Sequence, residues 1–147
     1  MCARLDEAVT QEPGARTTSA VRAYLEAKRA LRALSSPDDD KYLSFQPWQG
    51  GIARYTEYRL GALATSGYAP SPAFVGLPDF TPYAGASQAI RERIHTQFTT
   101  VRLREEQRSA FYPVGAAEGL LLDRVNPGWR ADYAKAGFTL DGLLDRK

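Results

Sequence analysis

Trp48-Gln49-Gly50-Gly51-Ile52-Ala53-Arg54-Tyr55-Thr56-Glu57-Tyr58 opens a run with the apolar period of a long helix. Ile52, Tyr55, Thr56, Leu60 and Leu63 recur with the three- and four-residue period of a helix, which places them along one face and predicts an inward stripe from Trp48 to about Ser66. Gly67 is set to close it.

The same period recurs on either side. Val21, Tyr24, Leu25, Lys28, Leu31 and Leu34 mark a helix from about Thr17, with Thr17, Thr18 and Ser19 offering N-cap oxygens. Ile90, Ile94, Phe98 and Val101 mark a third, over 83–108, and Val114, Ala117, Leu121 and Val125 a fourth after Pro113. Asn126-Pro127-Gly128 breaks the fourth, and Trp129 to Ala136 and Thr139 to Leu144 predict two short closing helices. Alternation longer than a few residues is lacking, and Asp141-Gly142 has no strand pattern around it. The expected fold is therefore all-α: an irregular bundle of about four main helices plus two short C-terminal ones.

Punctuation sets the boundaries. Glu12-Pro13-Gly14 favours a turn, so residues 1–16 are expected to be a flexible, weakly docked arm ahead of a single helical domain over 17–147. Ser35-Ser36-Pro37 ends the first helix, and Asp38-Asp39-Asp40 suits an acidic helix start better than a calcium loop, which needs alternating ligands, a glycine and a closing glutamate. Pro70, Pro72, Pro78 and Pro82 forbid regular helix from Tyr68 to Pro82, while Phe74, Val75, Leu77 and Phe80 supply apolar anchors. A docked connector between the second and third helices is expected, or a segment lining a cleft.

At 147 residues, 44% of them hydrophobic and 24% charged, the chain suits one folded, soluble domain. Nineteen Lys and Arg against seventeen Asp and Glu leave a net charge of +2, too small and too scattered to predict nucleic-acid binding. No apolar run is long enough for a membrane span, and charge interrupts the N-terminus where a secretory signal would be apolar. Cys2 is the sole cysteine, which excludes an intrachain disulfide and a cysteine metal cluster.

Few residues carry chemistry. Glu57 shares a face with Gly50 two turns earlier and stands three residues after Arg54, which can pair with it or with a neighbouring helix. Glu118 lies on an apolar stripe, where a carboxylate must find a partner or take up a proton; a hydrogen bond to a tyrosine or arginine is the expected outcome. With Tyr55 and Tyr112, Glu57 and Glu118 are the candidates to line a polar pocket between the second and fourth helices. His95, the only histidine, sits beside the apolar stripe of the third helix: Thr96 and Thr99 stand where an H-E-x-x-H motif needs glutamate and a second histidine. No G-x-S-x-G elbow or Walker lysine occurs.

Two stretches nevertheless resemble one family. Trp48 to Tyr58 is similar to the E-G-x-A-x-Y-x-E helix of gluzincin metallopeptidases, and Tyr112-Pro113-Val114-Gly115 through Asp123, followed by Pro127-Gly128-Trp129 and Tyr133, resembles the Y-x-x-G helix that follows their metal-binding pair. The likeness covers roughly residues 20 to 145 and implies the C-terminal helical half of a bacterial gluzincin-like metallopeptidase, without the H-E-x-x-H helix. It places Gly50 where the family's third zinc ligand, a glutamate, would be, and Glu57 and Tyr112 at the second acidic and tyrosine positions. A catalytic zinc site takes three protein ligands, so zinc is an implied cofactor whose full ligand set this chain lacks. Two functions follow. One is a degenerate or truncated metallohydrolase domain that binds peptides or small molecules, or hydrolyses weakly, through Glu57, Glu118, Tyr112 and His95. The other is a non-catalytic helical binding or oligomerisation module, with a homo-oligomer favoured by the face a missing helix leaves open.

Overall fold

A computed structural model of the chain describes residues 1–11 and 15–145, and of residues 15 and 16 the backbone alone. The described residues contain helices and turns and no strand, which agrees with an all-α irregular bundle. The helices are α1 (Cys2–Thr10), α2 (Ala15–Arg32), α3 (Pro37–Gln46), α4 (Ile52–Gly67), α5 (Pro72–Val75), α6 (Ala86–Thr100), α7 (Leu103–Glu106), α8 (Phe111–Val125) and α9 (Asp141–Leu144). A π-helical turn, Pro47–Gly51, joins α3 to α4, and 3-10 turns cover Gln107–Ala110, Trp129–Ala131 and Tyr133–Lys135.

The centre is α8, where every residue from Pro113 to Leu122 is buried. Pro113 is tolerated there because it lies in the first turn, whose N–H groups have no partner within the helix. The π-helical turn, α4, α6, α1 and α3 pack around α8. Its closest approach is glycine on glycine: a Cβ on Gly51 would lie 2.4 Å from the Gly115 Cα, and one on Gly115 would lie 2.4 Å from the Pro47 carbonyl oxygen. Gly119, one turn after Gly115, continues this bare strip, and the Tyr55 ring rests on it.

The N-terminal segment corrects the expectation of a loose arm. Residues 2–10 form α1, whose Leu5, Ala8 and Val9 are buried in the common core. Arg124, near the end of α8, donates to the carbonyls of Ala8, Val9 and Gln11, taking up oxygens that the last turn of α1 leaves open. The expected turn at Glu12-Pro13-Gly14 lies outside the described residues. Since α2 begins at Ala15, Thr17 to Ser19 fall within the helix rather than at its cap.

At α3, Ser36 caps the helix by accepting from the Asp39 N–H, with Pro37 at the first position and three aspartates in the first turn. The third helix is shorter than its periodicity suggested, because Val101 and Arg102 take extended backbone angles and α7 follows as a separate turn. Of the two closing helices, only Asp141–Leu144 is α-helical; the first is a pair of 3-10 turns. The largest departure is in α4. Ile52 and Tyr55 are buried as expected, but Leu60 and Leu63 face outward, as do Leu31 and Leu34 at the end of the first stripe. None of the helices in the described residues is long and apolar enough to cross a membrane.

Candidate functional site

The four candidate site residues occupy three separate places. Glu57 and Tyr112 share the first, an open groove of about 420 Å³ lined also by Gln49, Gly50, Ala53 and Arg54. Arg54 donates to Glu57 Oε2 at 2.7 Å from one turn earlier, the first of the two pairings expected for it, and it is Glu57 that reaches the neighbouring helix, its Oε1 accepting from Arg93 of α6. Burial alone would raise the Glu57 carboxyl, but the two arginines outweigh it and hold it below the ordinary range. Such a group is a fixed anion rather than a proton carrier near neutrality. Tyr112 lies across Gly50: a Cβ there would come within 2.2 Å of its ring. Position 50 is thus occupied in space by an aromatic ring, and a glutamate could enter only if Tyr112 swung away.

Glu118 occupies the second place, in the interior. It is fully buried, and its Oε1 accepts from Tyr24 Oη and Lys28 Nζ, each at 2.6 Å. Lys28 Nζ also lies 2.5 Å from Asp141 Oδ1, Arg32 donates to Asp141 Oδ2 at 2.6 Å, and Arg32 Nη2 donates to Asp40 Oδ2 at 2.8 Å. The network therefore ties α2 to α8, α9 and α3. Burial would depress the Lys28 ammonium, yet the Glu118 and Asp141 carboxylates raise it above its usual value. Burial pushes Tyr24 well up, reinforced by the neighbouring Glu118 charge. Arg32, through its hydrogen bonds, lowers Asp40. The expected partner for Glu118 was a tyrosine or arginine; the tyrosine is there, and a lysine stands in the cation's place. Sealed from solvent, Glu118 does not face the groove of Glu57 and Tyr112.

His95 occupies the third place, on α6 against α1, where its Nε2 lies 2.8 Å from Asp6 Oδ1 and its ring meets Phe98 edge-on. It borders a cleft of about 400 Å³ with Val9, Phe98 and Leu120 on its apolar side. Thr96 also lines this cleft, whereas Thr99 does not and donates its hydroxyl to the carbonyls of His95 and Thr96.

Tyr55 does not join Glu57 and Glu118 either. Its hydroxyl donates to Asp123 at 2.7 Å and accepts from Arg130 at 2.7 Å, while Trp129 Nε1 donates to the same aspartate at 3.0 Å. Burial and the Asp123 carboxylate push the Tyr55 hydroxyl up to about 12. Asp123, Arg130, Asp141 and Lys28 were missed as polar partners by the sequence reading. For Lys28 a signal existed, a lone cation on the apolar stripe one turn after Tyr24. For the other three, exposed-looking charges at ordinary spacings, the partners are fixed only by packing.

The donor set does not fit a catalytic zinc. Among the described residues no group of three or more His, Cys, Asp or Glu side chains could hold a metal ion, and zinc hydrolysis needs three protein ligands and an open position. No family model, curated protein or solved structure matches this chain.

Proposed function

We propose that this chain is a non-catalytic helical binding module on a metallopeptidase-like scaffold, with the groove across Gly50 as its binding face for an extended peptide. The observation that carries this reading is the dispersal of the candidate catalytic groups: Glu118 is sealed against Tyr24 and Lys28, His95 is paired with Asp6 on another face, and only Glu57 and Tyr112 share a groove. General acid–base work needs a proton carrier within reach of a bound substrate, and Glu57 is locked as an anion by two arginines. The groove instead offers the parts of a recognition surface. Its floor is apolar at Gly50 and Ala53, and Gln49, Arg54, Glu57 and Tyr112 supply donors and acceptors for a peptide backbone.

The test pairs equilibrium dialysis against zinc with a fluorescence-polarisation screen of unstructured peptides. The expected outcome is substoichiometric zinc, no peptide cleavage, and binding that Tyr112→Ala weakens by roughly tenfold, about 1.4 kcal/mol. Stoichiometric zinc accompanied by chelator-sensitive cleavage would overturn the proposal.

A further inference from the structure

From Leu60 to Ile90 the chain carries a single charged residue, Asp79. This stretch comprises the second half of α4, the proline-rich connector with α5, and the head of α6. None of these residues is buried and only Ile90 packs on the core cluster, so the stretch stands outside the core as a projection. Gly61 lets α4 and α6 approach, since a Cβ there would lie 3.0 Å from Ile90 Cδ1, and Thr65 Oγ1 donates to the Tyr83 carbonyl at 2.8 Å. Ring contacts from Tyr68 to Tyr83, Tyr83 to Phe80 and Phe80 to Phe74 give the tip its own order.

The projection is internally built, yet its apolar side chains are left in solvent. Leu60 is 62% exposed, Leu63 60%, Tyr68 57%, Val75 47%, Leu77 47% and Phe74 40%. Leu60 and Leu63 continue the helical stripe that Ile52 and Tyr55 bury, so α4 carries an inward-type face past the end of its own core. Their exposed fractions amount to about 600 Å² of total residue surface, backbone and the Tyr68 hydroxyl included, which over two copies reaches the low end of stable interfaces, about 1,200 Å².

We propose that this projection is the contact between two copies of the chain, with Leu60, Leu63, Tyr68, Phe74, Val75 and Leu77 packed across a twofold axis. The charge pattern selects the occupant. In a twofold contact each patch faces itself, so any cluster of like charge would repel its own image, and 31 residues holding one acid avoid this. An anionic membrane surface would call for lysines and arginines interleaved with the apolar groups, and from Leu60 to Ile90 there are none. An exposed apolar surface with aromatic members, depleted of charge, has the composition of a homodimer core. None of the six side chains lines the groove at Gly50, so dimerisation is tested separately from peptide binding.

Sedimentation velocity and light scattering on the full chain, across roughly a hundredfold range of concentration, decide the matter. The expected mass is twice the 16.2 kDa of one chain. Leu63→Glu and Leu77→Asp should each raise the dissociation constant at least tenfold while leaving the far-ultraviolet circular dichroism unchanged, because neither side chain is buried in the single chain. Leu34→Glu, at a still more exposed leucine just after α2, should leave the dimer intact. A monomer at every concentration overturns the proposal, as does a dimer that Leu63→Glu and Leu77→Asp both leave unchanged. A monomer that floats with zwitterionic vesicles until Leu63→Glu is introduced would assign the surface to lipid and equally overturn it.

Discussion

Replacing Lys28 with methionine tests the buried network directly. The Lys28 side chain is 7% exposed and that of Glu118 0%, so the substitution keeps the apolar stem of the lysine and removes only the cation. Asp141 retains Arg32 and is partly hydrated, whereas Glu118 is left with the Tyr24 hydroxyl alone. Removing one member of a buried ion pair costs about 3–5 kcal/mol, because the remaining charge stays desolvated without compensation. Against a total stability of roughly 5–15 kcal/mol for a domain, that is a large fraction. At this chain length, 1 kcal/mol shifts the melting temperature by roughly 2–4 °C, so a fall on the order of 10 °C is expected. Urea unfolding followed by circular dichroism gives the free energy. The informative comparison is Lys28→Met combined with Glu118→Gln, which removes the stranded charge and keeps an oxygen for Tyr24; it should recover most of the loss, through a coupling well above 1 kcal/mol. If Lys28→Met costs under about 1 kcal/mol, or the second change recovers nothing, the pair is not the desolvated bridge described here.

Three further outcomes follow from the same geometry. Gly115→Ala would drive a methyl into the Pro47 and Gly51 backbone and should destabilise by about 3 kcal/mol or more, whereas Gly67→Ala, with open space around it, should be neutral or stabilise by up to about 1 kcal/mol. Arg124→Ala removes the donors to the last carbonyls of α1; about 1.5–3 kcal/mol should be lost per charged hydrogen-bonding group, and amide exchange of α1 should accelerate ahead of the rest of the chain. At alkaline pH, Tyr24 and Lys28 are both raised in the folded state, so their contribution is complete below their unfolded values near about pH 10 and declines as pH rises through the folded ones. Stability should accordingly fall above about pH 10, and Tyr24→Phe should flatten that decline in pH-dependent urea titrations.

Much of the fold was legible because helical periodicity is a local property. Val114, Ala117 and Leu121 on one stripe, Ile94 and Phe98 on another, and Ser36-Pro37 before three aspartates all stand in the structure as their spacing implied. The failures share a cause. α1 looked like a tail because nothing near it in sequence shows that Arg124, more than a hundred residues away, closes its last turn. Leu60 and Leu63 looked like core because spacing states which residues share a face, and not whether anything covers that face.

The candidate site divides the same way. Glu118 was identifiable as a carboxylate needing a partner, and Arg54 as a neighbour for Glu57, from burial pattern and spacing alone. That Glu118 turns to Tyr24 and Lys28, that Tyr55 turns to Asp123, and that His95 meets Asp6 depended on how helices distant in sequence were laid against α8. Composition and periodicity thus determined an all-α chain and which residues share a helix face, since those follow from each helix's own geometry. Only the tertiary structure decided which polar groups meet and which apolar face stays open, because partner choice is a property of helix crossings, here set by the contact of Gly51 with Gly115, and no single segment encodes a crossing.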